Sequence, residues 1–415
     1  MPRQGATTMC KRILAITFIY ICTSVGWIIL AGSTMLRTKA QDIKLKDAVG
    51  QLWGTAQSQQ APWLGYMLSK SEAKNAGPKA AEYIPLDASN IQVDLKLEHR
   101  KKGLLWYSTY HVKFAGKYRI ANSSEGTREA FLNFMLPAKN AVYDNFRFAV
   151  GGQEITDIEP QSGIITTPVR LAAGQNENIE ISYESQGLNE WSYHIGVDVK
   201  AIRNFSLAVT TDFEEIDFPA QSISPSQKER SGKGWNLTWQ YSNLLTGANI
   251  GIIMPQKLNP GPWVSRVTSA APVSLFLFFF LLFVFTTIKN IKIHPMNYFF
   301  VGTAFFSFHL LLAYLVDHVS IHLAFWICSL VSVLLVVSYM RLVVGSRFAF
   351  TEIILSQLVY LVVFSYTFFF RGYTGLAITI LCICTLFVVM QLTGKVDWDK
   401  VFAKSDKKTN SSSSV

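Results

Sequence analysis

The last third of the chain contains five long apolar runs, separated from one another by only a few residues. They are Ala271–Ile288, Asn297–Val316, Ile321–Met340, Phe348–Phe370 and Thr374–Leu392. Each is close to the roughly 20 apolar residues that a helix needs to cross the hydrocarbon core of a bilayer. Because backbone polar groups cannot be left unpaired in lipid, such short connections predict antiparallel neighbouring helices. This stretch therefore predicts a block of membrane-spanning helices.

A further apolar run of about 20 residues follows Lys11 and Arg12 and ends at Gly32. It is longer than the roughly 7–15 apolar residues of a signal-peptide core, so we interpret it as an uncleaved membrane anchor. A cleaved signal peptide is the alternative. No lipoprotein-type cysteine follows the run.

Basic residues at the ends of the apolar runs predict the orientation, because cytoplasmic loops carry an excess of Lys and Arg. Arg3, Lys11 and Arg12 precede the first run, whereas the two short outer turns carry Asp317-His318 and Arg371. The remaining loops assigned to the cytoplasm contain Lys289, Lys292, Arg341, Arg347, Lys395, Lys400, Lys404, Lys407 and Lys408. We therefore expect six spans, both termini in the cytoplasm and the long middle of the chain outside it.

The polar middle divides into a helical start, a linker and a β domain. Met35–Gln60 has helical spacing, either as a continuation of the first helix or as a buried helix of the outer domain. Ala61–Asn90 contains Pro and Gly at intervals typical of an irregular linker. The predicted domains are an anchor at 1–36, a helix and linker at 37–90, a β domain at 91–266, a helical block at 267–398 and a disordered tail at 399–415.

Alternating apolar residues predict strands within the middle domain. The clearest sets are Trp235, Leu237, Trp239 and Tyr241; Ile179, Ile181 and Tyr183; Tyr110, Val112 and Phe114; Ala130–Leu136; and Phe146, Phe148 and Val150, which run into a Gly151-Gly152 turn. Short strands at this spacing predict an antiparallel sandwich. The predicted fold class is therefore an α-helical polytopic membrane protein with six transmembrane helices and an extracytoplasmic, mostly antiparallel β, sandwich-like domain.

Composition disfavours several classes of function. The net charge of +10 comes largely from basic residues that flank the apolar runs, so we expect a lipid bilayer as partner and no nucleic acid. The five cysteines lie in or beside apolar runs, which leaves the polar middle without a disulfide framework or a zinc cluster: Cys10, Cys22, Cys328, Cys382 and Cys384. No catalytic triad, phosphate loop or paired-histidine motif is evident. We expect a protein that is not an enzyme and binds no cofactor or metal.

Ionisable residues within membrane helices are costly and are functional candidates by default. His309 lies near the middle of the third span, where it serves either as a hydrogen-bonded packing residue or in proton or ligand handling. Glu352 lies one turn inside the fifth span, within reach of Arg347 or Arg341 for an ion pair. The outer turn contains Asp317, His318 and His322. We consider three interpretations of these residues: a solvated turn, a pH-sensitive element or a metal site.

Three Asn-X-Ser/Thr triplets, at Asn122, Asn204 and Asn236, match the glycosylation sequon. They have meaning only in a secretory pathway that glycosylates.

The helical block resembles a known family. The segment IHPMNYFFVGTAFFSFHLLLAYLVDHVSIHLAFWI, the later YMRLVVGSR and the closing TGKVDW are similar to the inner-membrane CreD family of bacteria, which is associated with cell-envelope integrity. The matching positions include His294-Pro295-Met296, Tyr298, Val301-Gly302, Asp317-His318, Ala324-Phe325 and Asp397-Trp398. The resemblance covers about Ile288–Trp398. It implies a bacterial inner membrane and a periplasmic β domain, and it supplies no reaction.

The rest of the chain departs from that family. Its members commonly carry a larger outer domain, which Ile91–Pro260 does not match motif by motif, although the order of parts agrees. Our first hypothesis is a non-enzymatic envelope protein whose β domain binds an envelope protein or glycan. The alternative is a transporter or membrane-embedded enzyme acting on a lipid-linked substrate through His309, Glu352 and the Asp317 turn. A third interpretation is a sensor that signals inward through a separate partner.

Overall fold

The computed structural model describes residues 4–67, 81–195, 200–289, 291–370 and 372–394. It divides into two compact units, one formed by Met1–Asp42 with Asn259–Val415 and the other by Ile43–Leu258. We call them the helical unit and the β unit. The predicted tail at 399–415, Arg371, and the basic residues from Lys395 to Lys408 lie outside the described residues.

The helical unit contains the six predicted spans. Its helices are α1 (Gln4–Trp53, which continues into the β unit), α2 (Pro260–Ile288), α3 (Pro295–Leu315), α4 (Ile321–Val344), α5 (Ser346–Phe369) and α6 (Thr374–Thr393). All six are long and apolar enough to cross a bilayer, the candidate span of α1 being Arg12–Leu45. The prediction of six transmembrane helices is thus confirmed within the described part of the chain.

Local sequence explains where these helices begin and end. Proline begins α2 and α3, where its missing N–H would be unpaired in any case. The Ser320 hydroxyl accepts from the Leu323 amide at the start of α4. Gly345, with φ of +89°, ends α4 and allows the chain to turn at once into α5. Helix α5 contains two π-helical stretches, Ala349–Ile353 and Leu358–Val363.

Helix α2 has the largest number of buried residues in the helical unit. The Trp263 indole donates to the Phe368 carbonyl (3.1 Å), and the Ser274 hydroxyl donates to the Tyr360 carbonyl. These bonds tie α2 to α5. The outer faces of α1 and α6 carry exposed Leu, Ile, Val and Phe side chains, as expected of surfaces that face lipid.

The structure corrects the interpretation of residues 37–90. Helix α1 runs unbroken to Trp53, which confirms that the first helix continues past Met35. Ala61–Asn90 is not an irregular linker in its described part, because it contains two strands and the start of a third. Leu64 and Ile84 of this stretch are buried in the β core, and this burial outweighs the turn-forming Pro and Gly residues around them. The β unit accordingly begins earlier than residue 91 and ends before α2 rather than at 266.

The β unit consists of fifteen described strands. They are β1 (Gln57–Gln60), β2 (Trp63–Met67), β3 (Ala81–Ile84), β4 (Leu86–Lys102), β5 (Leu105–Ala121), β6 (Arg128–Met135), β7 (Tyr143–Val150), β8 (Gln153–Glu154), β9 (Ile164–Leu171), β10 (Asn176–Leu188), β11 (Glu190–His194), β12 (Lys200–Thr211), β13 (Gln227–Ser231), β14 (Gly234–Thr246) and β15 (Ile250–Ile253). The sheet orders are β13-β14-β12-β4-β5-β10-β7-β8, β3-β2-β6-β9 and β1-β11-β15. Pairing is antiparallel except for β1 with β11 and β4 with β12.

All three sheets contribute to a single hydrophobic core. Its fully buried side chains alternate along the strands as the sequence predicts, including Ile179 and Ile181 on β10 and Leu237 and Trp239 on β14. Gly151 and Gly152 have φ of +59° and +80° at the predicted turn between β7 and β8. The large, mostly antiparallel β domain of the prediction is therefore present.

Asn122, the first of the three sequon asparagines, has a structural role. Its side chain is buried, and its amide nitrogen donates to the carbonyls of Gly126 (2.9 Å), Leu171 (3.0 Å) and Ala172 (3.0 Å). A buried amide with three acceptors holds the loop after β5 against the end of β9. The nitrogen that a glycan would need is occupied in this fold.

Candidate functional site

His309 lies in an aromatic environment inside the helical unit. Its ring is buried and packs edge-to-face against Trp27 (5.9 Å between centroids) and Phe308 (4.8 Å). Its Nδ1 lies 3.3 Å from the Phe305 carbonyl, one turn earlier on α3. These contacts are those of a packing residue that joins α1 to α3.

Asp317, on the turn between α3 and α4, forms an ion pair with Arg37 of α1 (3.2 Å). The same guanidinium donates to the Ala313 carbonyl (2.8 Å), and its centre lies 5.4 Å from the Tyr314 ring centroid. One arginine thus binds the carboxylate, a free carbonyl of the last turn of α3 and an aromatic face. Sequence reasoning missed Arg37. The available signal was a cation near the end of an apolar helix, which requires a partner.

The two histidines of this turn do not share a helix. His318 lies in the turn, whereas His322 lies in the first turn of α4 and stacks on Phe369 of α5 (4.6 Å between centroids, 16° between planes). Among the described residues, no group of three or more His, Cys, Asp or Glu side chains is placed to hold a metal ion.

Glu352 forms an ion pair, but with Lys289 at the end of α2 rather than with Arg347 or Arg341. Arg341 precedes the Gly345 turn and belongs to another helix. The Thr351 hydroxyl also donates to the Glu352 carboxylate. This pair ties α2 to α5.

The β unit contains a groove of about 640 Å³ that the sequence did not reveal. Its walls include Asp94 and Lys96 of β4, His111 and Lys113 of β5, and Glu184 of β10. Strand pairing places Asp94, Lys113 and Glu184 in one row across three strands. Lys96 and His111 lie in a second row on the same face, two residues after Asp94 on β4 and two residues before Lys113 on β5. Acidic and basic groups therefore alternate along the first row, whereas the second row carries basic groups.

One rim of the groove is held in place by hydrogen bonds. The Tyr143 hydroxyl donates to the Ala138 carbonyl (2.7 Å) and accepts from the Ala138 amide (2.9 Å). Burial raises the pKa of Tyr143 to about 12, so the phenol stays protonated above the pH at which an exposed tyrosine ionises. Within this closed loop, the Val142 carbonyl accepts from the Ser185 hydroxyl (2.9 Å), while the Val142 side chain is 82% exposed.

The floor of the groove is fixed by a buried glutamine. The Gln57 amide donates to the Ser185 hydroxyl (2.8 Å) and to the Gln186 carbonyl (2.8 Å). These bonds fasten β1 to β10 beneath the groove. Because the network is buried and polar, it fixes the geometry of the charged rows above it. The groove is therefore a preformed surface with both signs of charge and one exposed aliphatic side chain.

Comparison with known proteins identifies the helical part of the chain. Residues 262–399 match the family model described as inner membrane protein CreD. Inner membrane protein CreD of Escherichia coli (strain K12) is 25% identical over 218 residues, which cover 47% of this chain and 47% of that protein. The chain thus spans about half the length of the curated relative that it matches.

One solved structure with some similarity is the crystal structure of a protein from Legionella pneumophila that is described as a nutrient binding protein. It is 9% identical, has a TM-score of 0.35, and the similarity covers 54% of this chain and 76% of that chain. A TM-score this low does not establish a shared fold.

The matched segment contains α2 to α6, the Asp317 turn and Glu352, together with most of the motifs on which the resemblance was based. Within the matched segment, Asn290, Arg371 and the stretch from Lys395 to Asp399 lie outside the described residues. The match of residues 262–399 to the CreD family, together with the six apolar helices, supports a multi-pass inner membrane protein.

Proposed function

We propose that this protein contributes to cell-envelope integrity without catalysing a reaction. In this proposal the β unit lies in the periplasm and binds an envelope component or a partner protein through the groove. The match of residues 262–399 to the CreD family model supports the inner-membrane setting. The distribution of basic residues around the spans supports a periplasmic location for the β unit.

The groove is the observation that carries the binding proposal. Its acidic and basic side chains suit a ligand that presents charges of both signs together with amide or hydroxyl groups, as peptides and peptide-bearing glycans do. The ion pair between Lys113 and Glu184 (3.1 Å) is exposed. Each side chain can therefore pair with a charged group on a ligand instead, at little cost in free energy. Val142 on the rim adds an apolar contact.

The proposed location predicts the labelling of an introduced cysteine. Ala173 lies exposed in the turn between β9 and β10. We expect Ala173→Cys, in a background whose five native cysteines are replaced by serine, to react with a membrane-impermeant maleimide when only the outer membrane is permeabilised. Labelling that requires disruption of the inner membrane would place the β unit in the cytoplasm and refute the periplasmic location.

The groove predicts position-specific crosslinking in intact cells. A photo-crosslinking residue at Val142 (82% exposed) should yield a discrete envelope adduct, whereas the same residue at Leu245 (72% exposed), on β14 outside the groove, should not. Both native side chains are exposed aliphatic groups, so nonspecific capture should be equal at the two positions. Asp94→Ala combined with Lys96→Ala should reduce the Val142 adduct by roughly tenfold, as expected for the loss of two specific polar contacts.

Two results would contradict the groove proposal. One is equal capture at Val142 and Leu245, and the other is a Val142 adduct that persists undiminished when Asp94 and Lys96 are replaced. A photo-crosslinking residue at His309 tests the alternative function, in which the spans act on a lipid-linked substrate. Lipid-linked adducts at His309, together with none at Val142, would favour a transporter or enzyme acting on a lipid-linked substrate.

A further inference from the structure

The sheet β3-β2-β6-β9 carries aromatic side chains on the face that points away from the core. Leu64 of β2 and Leu132 of β6 are buried in the core, so Trp63 and Phe131, which alternate with them, lie on the opposite face. Phe131 is 42% exposed, and Trp63 is half-buried. Strand pairing makes these two positions diagonal neighbours, about 7–8 Å apart. Two aromatic side chains therefore lie side by side on an outer surface of the β unit.

The surface beside the two rings is open. Gly65 follows Trp63 by two residues on β2 and lies directly opposite Phe131 on β6. A Cβ atom at Gly65 would meet no atom within 4 Å, so no side chain covers the backbone there. On the other side of Phe131, the exposed ring of Pro168 on β9 continues the same row. A flat ligand can therefore reach the sheet between its aromatic side chains.

The row that contains Trp63 adds a pair of polar side chains. Asn133 lies opposite Trp63, and Thr166 lies opposite Asn133. The Thr166 hydroxyl donates to the Asn133 side-chain oxygen (2.9 Å), and the Asn133 amide nitrogen donates to the Phe131 carbonyl (3.0 Å). Within the described part of the chain, these bonds leave one N–H of Asn133 and acceptor lone pairs on both side chains for a ligand. A donor beside acceptors suits a hydroxyl group, which both donates and accepts.

Charge and size restrict the class of ligand. Glu129 and Arg170 lie opposite each other in the next row, so their charges offset and the surface is neutral. Electrostatic complementarity therefore favours a neutral ligand over an anionic or cationic one. Two rows across three strands cover an area on the order of 100 Å². This area is far below the roughly 800 Å² that each partner of a typical protein complex buries, so a protein partner is disfavoured.

We propose that this face binds a neutral saccharide chain. We call it the aromatic platform and define it by Trp63, Gly65, Phe131, Asn133 and Thr166. A sugar ring has apolar C–H faces, which stack on aromatic rings, and hydroxyl groups at its edge, which bond to the amide and hydroxyl of the platform. The two aromatic positions lie in successive rows, so they contact successive sugars of a chain. The platform lies on a different sheet from the groove, and this proposal goes beyond the proposed function.

The test is calorimetric titration of the full chain in nanodiscs with the neutral β-1,4-linked tetrasaccharide of N-acetylglucosamine. We expect saturable binding of the tetrasaccharide and clearly weaker binding of the monosaccharide. Phe131→Ala removes one stacking surface and should weaken tetrasaccharide binding roughly tenfold. Gly65→Val places a side chain in the open space beside both rings, where it meets no clash, and should weaken binding at least as much. Because two independent variants are used, a folding defect in one leaves the other to decide.

Leu245→Ala is the matched control, because Leu245 is an exposed apolar side chain on β14, away from the platform. It should leave the affinity unchanged, as should Asp94→Ala with Lys96→Ala in the groove, which separates this proposal from the proposed function. The proposal is overturned if the tetrasaccharide does not bind, if the monosaccharide binds equally well, or if both platform variants bind as the wild type does. A shift of Phe131→Ala from oligomer to monomer in size exclusion would also overturn it, because the face would then join copies of this chain.

Discussion

Replacing Trp239 by alanine is expected to lower the free energy of unfolding of the β unit by about 3–5 kcal/mol. Trp239 is fully buried in the core on β14. Its indole also donates to the Ile223 carbonyl (2.9 Å), a bond that fastens the loop before β13 to the sheet. The substitution therefore leaves a cavity and removes the donor from a carbonyl acceptor.

Pulse proteolysis of the detergent-solubilised full chain across a urea series measures this effect, because the unfolded β unit is cleaved and the folded one is not. Gln240→Ala is the matched control. It lies next to Trp239 on the exposed face of the same strand, and we expect its effect to stay within about 0.5 kcal/mol. A Trp239→Ala variant that unfolds within about 1 kcal/mol of the wild type would refute the inward packing of β14.

The elements of this fold that the sequence predicted are those with a strong local signal. Length and continuous apolarity suffice for a membrane helix, so all six spans were found. Alternation identified the strands that carry Ile179 and Trp239, because one face of each is buried in the core. The helix that precedes β1 was also predicted, from the helical spacing of its apolar residues.

Strand β1 shows why hydrophobic patterning failed elsewhere. Its sequence is Gln-Ser-Gln-Gln, yet Gln57 and Gln59 are buried. They occupy inward positions because their amides find buried partners, Ser185 for Gln57 and the Tyr183 hydroxyl for Gln59 (2.8 Å). Pattern reasoning treats a polar residue as exposed and cannot see a partner more than a hundred residues away.

The groove and the ion pairs were missed for a related reason. The row of Asp94, Lys113 and Glu184 exists only in one register of three strands, and one of them, β10, is distant in sequence from the other two. The pairing of Glu352 with Lys289 likewise depends on which helices are neighbours in space. Sequence identified the charged residues that require partners, but the partners themselves are set by the tertiary fold.

The ion pair between Arg37 and Asp317 leads to the second large expected effect. Asp317→Arg places two guanidinium groups where the structure has a pair at 3.2 Å. The side chains are only 35% and 19% exposed, so solvent screens their repulsion incompletely. We expect the variant to lose about 2–4 kcal/mol of stability in the helical unit. Thermal inactivation of the monodisperse full chain, followed by fluorescence-detected size exclusion, measures the loss.

The charge-swapped double variant, Arg37→Asp with Asp317→Arg, separates the ion pair from the other contacts of Arg37. Exchanging the charges restores the attraction, so the double variant should be more stable than Asp317→Arg alone. Recovery should remain incomplete, because aspartate at position 37 cannot donate to the Ala313 carbonyl as the guanidinium does (2.8 Å). If the double variant is no more stable than the single one, the bond to Ala313 rather than the charge pair holds α1 to the end of α3.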